Sequence, residues 1–197
     1  MSKIDKREEI LKAALQLIAE HGFHGAPMAM IADKAGVGAG TIYRYFENKD
    51  VLINDLYRQL EDRIMLHVSE GYSQQMPIKE RYLHLTTALL NYLSSHPLVF
   101  RYMEQFHNSP YGTEIRRDRI IKNANGCDAF RELFQQGIQE NCVKDAPLVI
   151  LFDLTFGPLI SVTRDHILGF ISLDNQLINQ VVEACWDGIC RHPNNAD

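Results

Sequence analysis

At 197 residues the chain has room for one large domain or for a small domain joined to a larger one, and 46% hydrophobic residues suffice for a sizeable buried core. This composition excludes a disordered chain or a simple coiled coil. The formal net charge of -5 argues against a protein that coats nucleic acid nonspecifically, but leaves room for a sequence reader that concentrates a few cations locally.

From the amino end, Asp5 to His21 reads as an amphipathic helix, with Ile10, Ala14, Leu17 and Ile18 on one stripe and Leu11 and Leu15 beside it. Gly22 ends it, and Phe23 turns back as a plug into a small core. Met28 to Ala35 and Ala39 to Tyr45 then read as two very short helices separated by a tight turn at Gly36, a helix-turn-helix. The second places Ile42 and Phe46 on one side and Thr41, Arg44 and Tyr45 away from it. A two-turn helix buries too little to be stable alone, so an exposed polar and aromatic face on it calls for a function, and entry into a major groove supplies one.

Asn48 is the expected N-cap of a long helix that runs from Lys49 to about Glu70 on Leu52, Ile53, Leu56, Tyr57, Leu60, Ile64 and Val68. Gly71 to Pro77 is a linker. Further helices are expected at Ile78 to Ser95, Pro97 to His107, Thr113 to Gln139, Ala146 to Leu168 and Leu173 to Arg191. No stretch alternates as a strand does, so the expected fold is all-α. It divides into a DNA-binding domain at 1–48, a linking helix at 49–71 and a ligand-binding and dimerisation domain at 72–197.

The run I-A-x-x-A-G-V-x-x-G-T-I-Y-R-Y-F-x-N-K-x-x-L, preceded by E-H-G-F, resembles the DNA-binding domain of the TetR family of bacterial transcriptional regulators. The resemblance covers about the first quarter to third of the chain. It implies that the second short helix is a recognition helix, with Gly40, Thr41, Tyr43, Arg44, Tyr45 and Lys49 facing a double-stranded operator. Arg44 suits a guanine edge, Tyr43 and Tyr45 suit phosphates, Lys49 neutralises one, Thr41 meets a thymine methyl or a phosphate, and Gly40 admits a close backbone approach. The family commonly has Ser or Thr where this chain has Ala26-Pro27 and Gly38, and a polar or basic residue where it has Ala39, so several ordinary phosphate contacts are missing. Through Arg63 the nine cations Lys3, Lys6, Arg7, Lys12, Lys34, Arg44, Lys49, Arg58 and Arg63 face ten acids, a balance of -1. A cluster of Lys3, Lys6 and Arg7 with Arg44 and Lys49 would supply the local charge.

In the carboxy-terminal part, Tyr92, Phe100, Met103, Phe106, Phe130, Phe134, Phe152 and Phe156 are candidates to line a pocket for a small hydrophobic or aromatic effector, although such residues are more often core. Asp153, set among apolar neighbours, is read as a buried carboxylate that needs either an internal cation or a cationic ligand. The last two helices are apolar on more than one side, and the resemblance also implies a homodimer through them; Leu151, Leu154, Leu177, Val181 and Cys185 are the interface candidates.

Cys127, Cys142, Cys185 and Cys190 lack two-residue metal spacing and read as reduced core residues, with a redox pair as the minor alternative. The histidines stand singly, no nucleophile elbow or phosphate loop occurs, and neither an enzyme nor a cofactor is expected. The amino end has no signal peptide, and the most apolar run, Ala146 to Val162, holds Asp153 and Pro158 and falls short of the ~20 residues that span a bilayer. A cytoplasmic regulator without membrane contact is therefore expected, most simply a repressor. The alternative is a helical small-molecule carrier or protein-interaction module that does not read DNA.

Overall fold

The computed structural model describes residues 6–121 and 128–191. They form the helices α1 (Lys6–Gly25), α2 (Met28–Lys34), α3 (Ala39–Tyr45), α4 (Lys49–Val68), α5 (Ile78–Ser95), α6 (Pro97–His107), α7 (Pro110–Ile121), α8 (Asp128–Gln139), α9 (Leu148–Ile167) and α10 (Asn175–Ile189). Extended pairing among the described residues is confined to an isolated bridge between Val143 and Cys190. The fold is all-α, as the periodicities predict. Where one helix was expected from Thr113 to Gln139, the described residues hold α7 and α8, and 122–127 lie outside them.

Two compact units emerge, each assembled from separate stretches of chain: Met1–Arg63 with His96–Ile115, and Ile64–Ser95 with Arg116–Asp197. The expected contiguous division at 48 and 71 did not anticipate this, because α6 packs on α1 in the first unit.

In the first unit, Ile10, Ala14 and Ile18 of α1 are fully buried together with Ile31, Ile42, Phe46 and Leu52. Gly22, at φ 74° and ψ 173°, bends α1 in a backbone region that essentially only glycine enters. Beyond the bend Phe23 meets Tyr102 and Tyr111 edge-on, with ring centroids 6.1 and 5.6 Å apart. Phe106 stacks on Tyr57 at 3.9 Å, and the buried Tyr102 hydroxyl donates to the Ile53 carbonyl at 2.7 Å. Three short amino-terminal helices cannot enclose a core by themselves, and α6 completes it with aromatic rings.

In the second unit, α5 packs against α8, α9 and α10. Phe130, Phe134, Phe152 and Phe156 form one cluster, with centroids 4.9 Å apart for Phe130 and Phe156 and 5.4 Å for Phe134 and Phe152. Arg81 is 1% exposed; its Nε donates to the Tyr72 hydroxyl at 2.9 Å and its Nη1 to Gln136 Oε1 at 2.6 Å. No helix among the described residues is long and apolar enough to cross a membrane. No three His, Cys, Asp or Glu side chains among them are grouped to hold a metal ion.

Candidate nucleic-acid interface

The turn between α2 and α3 forms because Gly36 takes φ 64°, a left-handed conformation that stops α2 at low cost. The Val37 amide returns to the Ala32 carbonyl at 2.9 Å, and α3 starts at Gly38 without a side-chain cap. Within α3, Ile42 is buried, and Phe46 follows it into the core as the C-cap. Tyr43 is 55% and Tyr45 41% exposed; Arg44 is exposed beside them, and Thr41 is half-buried. Gly40 is exposed, and a Cβ there would meet nothing within 4 Å, so the chain's own packing does not demand glycine. One continuous face of α3 is thus spent on nothing inside the unit.

The cations around it divide. Lys34, Arg44 and Lys6 are exposed and make no ion pair among the described residues. Arg7, expected to face phosphates, is instead drawn inward: its Nη2 reaches Asp55 at 3.0 Å, and its guanidinium lies 5.7 Å from the centroid of the Phe46 ring. Lys3 lies outside the described residues. Lys49 is half-buried and donates from Nζ to the Phe23 carbonyl, and burial lowers its ammonium pKa while Asp50 partly restores it. The start of α4 is held further by Asn48, whose Oδ1 accepts from the Val51 amide at 2.9 Å, the N-cap read from sequence. Tyr111 donates its hydroxyl to Asp50 Oδ1 at 2.5 Å; this hydrogen bond, with burial, pushes the phenol up to about 12.

The candidate effector residues do not converge. Phe100 and Phe106 are buried in the first unit, which also holds Met103, because the rings of α6 close the helix-turn-helix core. Phe130 and Phe134 are interior to the second unit, Phe152 and Phe156 sit half-buried at the edge of their cluster, and Tyr92 lies against His67 with centroids 5.2 Å apart. Asp153 is not the buried carboxylate expected. It is exposed on α9, and Oδ1 pairs with Arg116 Nη2 at 2.7 Å, because the apolar run around it includes outward positions such as Ile150 and Leu154.

Of the interface candidates, Leu151 and Cys185 are buried inside the unit and have no surface to offer a partner; burial also raises the Cys185 thiol pKa. Leu154 is 42% exposed, and Leu177 and Val181 are half-buried. Among the described residues Cys142, Cys185 and Cys190 are free thiols. The sequence reading overlooked an open groove of about 580 Å³ beside α5, lined among others by Glu80, His84 and Asn91.

Residues 10–56 match the family described as bacterial regulatory proteins of the tetR family, and residues 77–190 match a tetracyclin repressor-like C-terminal domain. A solved TetR-family protein of Vibrio parahaemolyticus is 35% identical, with a TM-score of 0.76 over 95% of this chain and 100% of that one. An HTH-type transcriptional regulator of Haemophilus influenzae is 27% identical over 95% of this chain and 97% of its own. A fatty acid metabolism regulator protein of Bacillus subtilis is 26% identical over 91% and 95%. With a helix-turn-helix at its amino end and both parts of the chain matched, the protein belongs to the TetR family of DNA-binding transcriptional regulators.

Proposed function

We propose that the protein is a homodimeric repressor that holds operator DNA through α3 and lets it go when a small hydrophobic or aromatic effector enters the second unit. The observation that carries this reading is the exposed run Tyr43-Arg44-Tyr45 on a helix anchored from behind by Ile42 and Phe46. Arg44 bonds a guanine edge in two places, while Tyr43 and Tyr45 donate to phosphates and Thr41 meets a thymine methyl or a phosphate. The open space above Gly40 admits the duplex backbone. Lys49 has a second task, since its ammonium is already engaged by the Phe23 carbonyl. With Pro27, Gly38 and Ala39 offering no hydroxyl or charge, affinity depends on having two copies, each meeting a half-site ~34 Å or more from the other.

The dimer forms on α9 and α10. Ile150 and Leu154 are exposed there, a Cβ added at Gly157 or Gly188 would meet nothing, and Leu177 and Val181 follow the same outward stripe. The effector acts by preferring the dimer whose recognition helices are wrongly spaced, which requires unequal affinity for the two forms.

A mobility-shift assay with the DNA upstream of the protein's own coding region tests this. Sequence-specific retardation at low salt is expected, and its absence, with and without candidate effectors, would overturn the reading. Sedimentation at micromolar concentration should give a dimer, and Val181→Arg should shift it towards monomer; a monomeric wild type would defeat the dimer.

A further inference from the structure

On α5, Glu80, His84, Thr87 and Asn91 recur at steps of four, three and four residues, which is one face of a helix. They line the open groove for about 16 Å along the axis, with Met76 and Leu83 as apolar walls. These polar side chains make no hydrogen bond or ion pair with another described residue. Their neighbours behave differently: the Thr86 hydroxyl turns back to the Tyr82 carbonyl at 2.7 Å, and Lys79 takes Glu183 at 2.8 Å. Most telling is His84, whose Nε2 is buried without any hydrogen-bond partner, a state that native interiors rarely tolerate. A groove of this volume falls in the range that accepts small organic ligands.

The chemistry of the lining selects the ligand. Met76 and Leu83 favour an apolar body, and a wholly apolar ligand would leave Nε2 buried and unbonded. Glu80 carries the formal charge of the lining, which disfavours an anion and favours a cation. We propose that the groove binds an organic amine with an apolar body, whose N–H donates to His84 Nε2 and whose charge faces the Glu80 carboxylate. The Thr87 hydroxyl and the Asn91 amide oxygen offer further acceptors along the same line. This names the chemical class of the effector and rests on the reading that the second unit takes one.

Calorimetry on the full-length protein with four eight-carbon probes tests it: octylamine, octan-1-ol, octanoate and octyltrimethylammonium. Octylamine is expected to bind roughly tenfold or more tightly than octan-1-ol, which keeps a donor but lacks charge, and than the trimethyl cation, which keeps charge but lacks a donor. Glu80→Gln should weaken octylamine roughly tenfold and leave octan-1-ol unchanged. His84→Leu should weaken both, and His84→Gln, which keeps an acceptor, should recover binding. Octanoate binding as tightly as octylamine, or octylamine indifferent to Glu80→Gln and His84→Leu alike, would overturn the assignment. No DNA is present, so the two readings fail separately. Octylamine bound without operator release would sink the effector role alone; specific operator binding by a protein that ignores octylamine would sink the groove alone.

Discussion

The two units of the chain treat their polar and aromatic groups in opposite ways. In the first, the rings of Phe23, Tyr57, Tyr102, Phe106 and Tyr111 close on one another, and the Tyr102 hydroxyl and the Lys49 ammonium are tied to backbone carbonyls. What remains exposed there is concentrated on α3. In the second, an aromatic cluster coexists with unsatisfied features: the orphaned His84 Nε2, the polar stripe of α5, and the exposed Ile150 and Leu154 of α9. The difference teaches where adaptability sits. A unit that must present one short helix at a fixed angle gains from a rigid backing, whereas a unit that receives a ligand or a second copy leaves groups unused until that partner arrives.

Substitutions can break this contrast. Phe106→Ala, which removes the ring stacked on Tyr57, should destabilise by about 3–5 kcal/mol, read as the shift of a denaturant midpoint at unchanged slope. Gly22→Ala should cost about 1–3 kcal/mol, because its φ and ψ are closed to a residue with a Cβ; an unchanged midpoint would show that the bend in α1 is not required. Lys49→Met removes a partly buried hydrogen bond and should cost about 1 kcal/mol of stability as well as a phosphate contact. Affinity loss with unchanged stability would mean that the ammonium serves DNA alone. Arg116→Ala should change stability by about 0–1 kcal/mol, since its pair with Asp153 is more than half exposed on both sides.

Much of the first unit was legible because its signals are local. Gly36 supplied a turn that needs a positive φ, Asn48 a cap that accepts from Val51, and Ile42 and Phe46 a buried edge three and four residues apart from their neighbours on the face. The allegiance of α6 was not legible. Periodicity shows that Phe100 and Phe106 lie on an apolar stripe, but not which core the stripe joins, and the first unit is discontinuous in sequence. Asp153 misled for a related reason: apolar neighbours suggest burial only where a helix is enclosed all round, and α9 is open at Ile150 and Leu154. The stripe Glu80, His84, Thr87 and Asn91 has a readable spacing, yet polar residues at helical steps ordinarily face solvent, and only the burial of His84 Nε2 separates it from such a face.

The central claim is that Arg44 reads base sequence from a helix held rigidly behind it. Titrating the operator duplex and a scrambled duplex of the same length with wild type and with Arg44→Ala, at one salt concentration, tests it most directly. The account expects the substitution to reduce discrimination between the two duplexes by about 1–3 kcal/mol, while affinity for the scrambled duplex changes little. Unchanged discrimination would contradict it.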